Sequence, residues 1–186
     1  MARPLRIEFP DAVYHVSNYS LDNQRVFPSA KYYDAFLEGL GETCSRLNVE
    51  VHAFCLLRDQ YHLIVKTPEA NLSRFMRQID GLYTQQYQRM KRSEGSLFRG
   101  RYKAVLVQPE KYLLPLSRYI HSKVKTSDLN HYPYSSYTHF TRKAQPASWF
   151  NRNDTLKQLR VAHAKRGATY KKYVAAVSYT HLTLPT

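Results

Sequence analysis

Two polar side chains near the middle of the chain have the spacing of a metal-binding pair. Gln60 and His62 lie two residues apart, at the start of an apolar, β-branched segment that ends at Thr67. Residues two apart on a strand project from one face, so this pair would lie together while Tyr61 faces the other way. A glutamine carbonyl oxygen and an imidazole nitrogen can hold a divalent cation. An isolated histidine on a strand is more often a hydrogen-bonded structural residue, so the spacing alone leaves both interpretations open.

A basic cluster interleaved with aromatic side chains is the second chemical feature. Cations neutralise phosphates and rings stack on bases, so this combination suits single-stranded nucleic acid. A charged run is equally typical of a solvated surface. Arg74 and Arg77, on the polar side of the preceding amphipathic helix, could extend the same surface. The cluster contains Arg89, Lys91, Arg92, Arg99, Arg101 and Lys103, with Phe98 and Tyr102 among them.

The composition favours a polyanionic partner. Twenty-eight Lys and Arg against fourteen acidic residues give a formal net charge of +14 in 186 residues, and 43% hydrophobic residues suffice for a folded core. An anionic membrane surface could use the same charge. However, the sequence contains no apolar run of about 18 residues and no signal peptide, which favours nucleic acid as the partner and a cytoplasmic location. Cys44 and Cys55 lie in apolar surroundings and are predicted to be reduced core residues.

The order of predicted elements indicates an α+β fold of the ferredoxin-like type. Periodicity predicts strand, helix, strand, strand, helix, strand and helix, in which the first six elements form a split β-α-β sandwich with a four-stranded antiparallel sheet. A further helix and a C-terminal extension follow. The predicted strands cover 12–17, 49–57, 61–67 and 102–108; the predicted helices cover 31–47, 71–92 and a segment that begins at Pro109.

Three segments are expected along the chain. Residues 1–125 form the predicted domain, and residues 126–176 form a partly helical extension, with helical pieces over 154–164 and 170–175. Residues 177–186 match, codon by codon, a translation of the adapter used in transposon-based sequencing libraries. We therefore interpret this last segment as an artefact and exclude it from fold reasoning. The natural chain is expected to continue differently after Ala176.

The motifs resemble a known family in their order and spacing. The chain is similar to the IS200-like transposases, HUH-type enzymes that act on single-stranded DNA, and especially to the REP-associated tyrosine transposases. The blocks that carry the resemblance are Tyr14–Ser17, His52–Leu56, Tyr61–Leu63, Thr67–Arg74, Leu97–Lys103, Tyr112–Leu114, Arg118–His121 and Tyr132–Tyr137.

The resemblance implies a catalytic tyrosine and a metal site. Tyr119 matches the nucleophile, which would attack a phosphodiester and leave a 5′-phosphotyrosine and a free 3′-hydroxyl. The family's two metal-binding histidines fall on Gln60 and His62, so one histidine is replaced, and the expected ion is Mg²⁺ or Mn²⁺. A third ligand is expected one helical turn after the nucleophile. That position is Lys123, which has no lone pair when protonated.

The resemblance also implies a DNA partner, single-stranded or folded into a hairpin, and a protein that is a monomer or a homodimer. It makes phosphate contact the favoured role of five cations: Arg74, Arg77, Arg99, Arg101 and Lys103. Three functions remain open at this point. The first is a tyrosine-dependent DNA strand transferase, the second is a catalytically silent DNA-binding descendant with a degraded metal site, and the third is an RNA-binding module.

Overall fold

The computed structural model describes residues 7–22, 24–125, 127–142 and 147–176. The predicted elements are present in the predicted order, and no boundary shifts by more than two residues. They are β1 (Ala12–Tyr19), α1 (Ala30–Leu47), β2 (Glu50–Leu57), β3 (Gln60–Thr67), α2 (Leu72–Lys91), β4 (Lys103–Val107) and α3 (Pro109–His121). Three further helices follow: α4 (Tyr137–Thr141), α5 (Asn153–Lys157) and α6 (Arg166–Ala175).

The four strands form one sheet in the order β2-β3-β1-β4, and all three pairings are antiparallel. This is the strand order of the split β-α-β sandwich, and the predicted α+β ferredoxin-like fold is therefore confirmed. In the central pairing, Ser17 of β1 lies opposite His62, and Tyr19 lies opposite Gln60. The register brings the end of β1 and the start of β3 to the same end of the sheet.

The two faces of the sheet carry different layers. On one face α1 and α2 pack together, and their apolar stripes close over the core. Tyr61 belongs to this face: its ring lies 5.1 Å from the Phe36 ring, and its hydroxyl donates to Asp80 Oδ1 at 2.6 Å. Alternation along β3 therefore directs Gln60 and His62, the residues on either side of Tyr61, to the opposite face, where α3 packs against β2 and β3.

The residues after 126 cover the outer edge of β2. The Val51 amide donates to the Trp149 carbonyl at 3.0 Å, and the Asn151 amide donates to the Val51 carbonyl at 2.9 Å. Closer to the other end of the strand, the Leu56 amide donates to the Tyr134 carbonyl at 2.9 Å. An uncovered edge strand would expose its backbone hydrogen-bonding groups to other chains, so the extension protects this edge.

The structure also bears on the predictions for the two cysteines and for the C-terminal part of the chain. Cys44 and Cys55 are free and buried, as predicted. The helical pieces predicted over 154–164 are α5, which ends at Lys157, and a short 3₁₀ turn that begins at His163. Between them Arg160 has a φ of 53°, in the left-handed region that an α-helix does not use. No helix within the described ranges is long and apolar enough to cross a membrane. The segment interpreted as an artefact, 177–186, lies outside the described residues.

Candidate metal and nucleophile site

Gln60 and His62 lie together on the α3 face of the sheet, as strand alternation predicts. The His62 side chain is 1% exposed, and its Nε2 atom lies 3.1 Å from Gln60 Oε1. Adjacent ligands of an octahedral Mg²⁺ with bonds of about 2.1 Å are about 3.0 Å apart. The two donor atoms therefore fit neighbouring positions on one hard divalent cation.

A second histidine, not considered from the sequence, completes this arrangement. His15 of β1 is 8% exposed, and its Nε2 atom lies 3.2 Å from His62 Nδ1, with the two rings stacked at 5.4 Å. A histidine that binds a cation through Nε2 carries its proton on Nδ1, and His15 is placed to accept that hydrogen bond. The available signal was alternation on β1, which puts His15, Ser17 and Tyr19 on one face.

Both imidazoles are held in the neutral form. Burial, followed by the neighbouring His15 and the Lys123 charge, lowers the pKa of His62 to about 3. Burial, followed by the Lys123 charge, lowers the pKa of His15 to about 4. A neutral imidazole keeps the lone pair that a metal ligand needs, so His62 is available as a donor at pH 7.

The candidate nucleophile lies beside the two histidines. Tyr119 is half-buried on α3, and its ring meets the His15 ring edge-on at a centroid distance of 6.1 Å. Lys123, exposed just after α3, holds its ammonium nitrogen 4.3 Å from the centroid of the Tyr119 ring. This position was expected to supply a third metal ligand. Its ammonium offers no lone pair and repels a cation, so Gln60 and His62 fit the metal while Lys123 does not.

The extension anchors the helix that carries Tyr119. His121 is fully buried, with Nδ1 at 2.7 Å from Tyr170 Oη and Nε2 at 2.8 Å from Ser136 Oγ. Arg118, on the other side of the nucleophile, stacks its guanidinium 4.3 Å from the centroid of the Tyr173 ring. These contacts fix the last turn of α3, which carries Tyr119.

The predicted DNA-binding cations are all exposed and form a connected surface, which we call the basic surface (Arg74, Arg77, Arg99, Arg101 and Lys103). Arg99, Arg101 and Lys103 line one cavity of about 420 Å³, and Arg77 and Arg101 line a second of about 390 Å³. Arg74 precedes Arg77 by three residues on α2 and so lies on the same side of that helix. Within the described part of the chain none of the five forms an ion pair with a carboxylate, so their charges are available to a ligand.

Tyr19 joins the basic surface to the histidines. Its ring is 38% exposed, lines the larger cavity and lies edge-on to His62 at 6.1 Å. The Lys103 ammonium lies 5.6 Å from the centroid of the same ring. The Tyr19 carbonyl also accepts a hydrogen bond from the Arg99 amide at 3.0 Å, which fixes the basic segment at the end of β1. Through Tyr19, this cavity adjoins the Gln60–His62 pair.

Comparison with known proteins identifies the family of this α+β sandwich. The sequence model of the family described as "Transposase IS200 like" matches residues 9–123, more than half of the chain. The chain therefore belongs to the IS200-like transposase family. No curated protein sequence matches it significantly.

Two solved structures resemble the fold. A REP-associated tyrosine transposase bound to a REP hairpin is 15% identical, with a TM-score of 0.65 over 80% of this chain and 91% of that chain. A Deinococcus radiodurans protein assigned as a transposase is 16% identical, with a TM-score of 0.45 over 66% of this chain and 98% of that chain. The first match shows the shared fold, and the second is too distant to support an argument.

Proposed function

We propose that this protein cleaves and rejoins single-stranded DNA, presented as a hairpin, with Tyr119 as the nucleophile. The observation that carries the proposal is the position of Tyr119 beside the His15–His62 pair, which the basic surface reaches through Tyr19. The solved relative bound to a REP hairpin supports a hairpin as the DNA form.

In the proposed step, Tyr119 Oη forms a bond to phosphorus as the bond from phosphorus to the 3′ oxygen breaks. The phenol loses its proton, the 3′ oxygen gains one, and the products are a 5′-phosphotyrosine and a free 3′-hydroxyl. The reverse attack by a 3′-hydroxyl rejoins a strand and releases the tyrosine. Because the bond energy is kept in the phosphotyrosine, rejoining needs no added energy source.

Gln60 and His62 would hold the Mg²⁺ or Mn²⁺ ion, with His15 orienting the His62 ring. Such an ion supplies positive charge to the phosphoryl oxygens of the scissile group. The Lys123 ammonium, 4.3 Å from the centroid of the Tyr119 ring, adds a fixed positive charge near the attacking oxygen. It would partly replace the positive charge of a weakly held ion in stabilising developing negative charge.

The second candidate is a DNA-binding protein that has lost catalysis. Lys123 favours it, since a cationic side chain stands where a metal ligand is expected and its charge disfavours a cation nearby. The hydrogen bond between Gln60 and His62 also satisfies both groups without an ion. In this alternative the basic surface still binds DNA, and Tyr119 serves only in packing.

A covalent-adduct assay separates the two candidates. The protein is incubated with end-labelled hairpin DNA and Mg²⁺ or Mn²⁺, and adducts are resolved on denaturing gels. The transferase predicts an adduct that is abolished by Tyr119→Phe and retained by Tyr112→Phe, which removes a hydroxyl on the same helix. If the protein has lost catalysis, it should bind the hairpin without forming an adduct. An adduct should then appear when Gln60→His and Lys123→Asn are combined. Cleavage that survives Tyr119→Phe would refute the proposed nucleophile.

A further inference from the structure

A second group of metal-ligand side chains lies at the far end of the sheet from Gln60. Glu50 and His52 belong to β2, and Asp154 lies in α5 of the extension. Glu50 pairs with Lys66 near the end of β3, whereas Gln60 begins that strand. One ligand atom from each of the three side chains lies within 4.8 Å of the other two, and the described residues contain no other such group of three His, Cys, Asp or Glu side chains.

His52 is a buried polar side chain without a partner. It is 2% exposed, and neither of its ring nitrogens has a hydrogen-bond partner among the described residues. Native proteins rarely leave a buried ring nitrogen unsatisfied, so the position calls for a ligand or an ion. The strand register shifts between Val51 and Ala53, which makes His52 the extra residue of a β-bulge. Such bulges redirect a side chain toward a site.

The electrostatics of the group suit a cation. The pKa of His52 is lowered overall, because burial outweighs the opposing charges of Glu50 and Asp154. The nearby main chain of Asn151 also opposes the lowering, but it forms no hydrogen bond with either ring nitrogen. The neutral imidazole that results at pH 7 has a free lone pair. Two carboxylates beside it supply negative charge, of which Asp154 is partly neutralised by an exposed ion pair with Lys157 at 3.1 Å.

The Asn151 amide occupies the place between the two carboxylates. Its Nδ2 atom donates to Glu50 Oε2 at 2.7 Å and to Asp154 Oδ2 at 2.9 Å. A neutral amide thus bridges two negative groups that would otherwise repel each other. A dication at this position would bind the same oxygens and, in addition, satisfy the open nitrogen of His52.

We propose that Glu50, His52 and Asp154 bind one transition-metal dication, with Zn²⁺ as the preferred ion, which fastens the C-terminal extension to the edge of β2. One imidazole and two carboxylates are a ligand set that Zn²⁺ accepts, and a hard ion such as Mg²⁺ gains little from the imidazole. Tetrahedral ligands at about 2.1 Å lie about 3.4 Å apart, so side-chain shifts of about 1 Å close the group around the ion. The site is independent of the proposed strand transfer.

The role follows from where the ligands originate. Glu50 and His52 belong to the sheet, whereas Asp154 belongs to the C-terminal extension. The backbone hydrogen bonds of Val51 with Trp149 and Asn151 join these two parts beside the three ligands. An ion held by both parts stabilises the docked extension by binding the folded state alone. The extension also contacts α3 through Tyr170, whose hydroxyl lies 2.7 Å from His121 Nδ1.

The test uses tag-free full-length protein, stripped of metal by a chelator and carrying His62→Ala to remove the first metal site. Zn²⁺ is titrated in, and bound ion per chain is measured by equilibrium dialysis. We expect one tightly bound Zn²⁺ and a thermal unfolding midpoint that rises with Zn²⁺ but not with Mg²⁺. Glu50→Gln and Asp154→Asn, which keep side-chain shape, should each weaken Zn²⁺ binding at least tenfold, whereas Asp128→Asn, an exposed aspartate of the same extension, should not.

Two results would overturn the proposal: no tight Zn²⁺ in the His62→Ala protein, or unchanged affinity in both carboxylate variants. Circular dichroism of the metal-free variants verifies that they are folded. As a second measurement, Co²⁺ replaces Zn²⁺, and its visible absorption bands should report a low-symmetry site that is lost with Asp154→Asn and kept with Asp128→Asn. DNA cleavage with Mg²⁺ does not enter this test, so its outcome leaves the proposed function to be judged separately.

Discussion

The salt dependence of DNA binding measures how many phosphates the basic surface contacts. Arg99, Arg101 and Lys103 line one cavity and are exposed without carboxylate partners among the described residues, so replacing all three with alanine removes three candidate phosphate contacts. Each contact releases condensed counterions and therefore contributes to the slope of log K against log salt concentration. The variant should bind more weakly and with a shallower slope.

The magnitude follows from the number of contacts. Each neutralised phosphate contributes about 0.7 to the slope for single strands and about 0.9 for duplex DNA, so three contacts contribute roughly 2 to 3. Between 50 and 200 mM salt the native protein should then lose roughly 20 to 40 times more affinity than the triple variant does. A change of this size is well outside the error of a binding titration.

Fluorescence anisotropy with a labelled hairpin at four or five salt concentrations gives both slopes. The control variant removes the same charge elsewhere, at Lys31, Lys171 and Lys172, all of them exposed. It should keep a slope near that of the native protein. If the native protein and the Arg99, Arg101 and Lys103 variant have equal slopes, or if the control lowers the slope as much, the basic surface is not the phosphate-binding surface.

Two further predictions concern stability. A Cβ atom at Gly41 would lie 2.7 Å from Nε1 of Trp149, the single tryptophan. Gly41→Ala should therefore lower the free energy of unfolding by about 1 to 3 kcal/mol and shift the tryptophan emission, whereas Gly39→Ala, with open space around it, should be neutral or stabilise by up to about 1 kcal/mol. Equal effects of the two substitutions would contradict the packing of Trp149 on α1. Burial lowers the pKa of His121 to about 3, so below pH 6.5 the unfolded chain binds more protons than the folded protein, and this residue should remove about 2 kcal/mol of stability between pH 7 and 5. Urea unfolding at both pH values should show that His121→Gln loses about 2 kcal/mol less stability over this range than the native protein does. A loss in His121→Gln as large as that of the native protein would contradict this origin.

Local patterns predicted those features that depend on short-range geometry. Strand alternation placed Gln60 and His62 on one face and Tyr61 on the other, because a strand's side chains alternate whatever surrounds it. The order of elements was sufficient for the ferredoxin-like sheet, since few topologies are compatible with that order. Tyr119 could be selected only through the family resemblance, because neighbouring apolar residues made it look like a packing residue.

Two features that depend on long-range contacts, the His15–His62 pair and the His52–Asp154 group, were not predicted. The partner of His62 is His15, 47 residues earlier, and only the register of β1 with β3 brings them together. The group of His52 with Asp154 depends on a β-bulge and on a hydrogen bond between segments far apart in sequence, neither of which leaves a periodic signal. The helical pieces predicted over 154–164 are separated by a left-handed residue, Arg160, and no glycine marks that position.

The most direct test of the account is to identify the residue that becomes attached to DNA. After incubation with hairpin DNA and Mn²⁺, the protein is digested with nuclease and trypsin and analysed by mass spectrometry. Trypsin cuts after Arg118 and Lys123, so the account predicts a nucleotide phosphate on the five-residue peptide Tyr119–Lys123, localised to its tyrosine. A nucleotide phosphate on any other peptide would contradict Tyr119 as the nucleophile. No modified peptide from a protein that binds the hairpin tightly would contradict strand transfer and favour the silent DNA-binding protein.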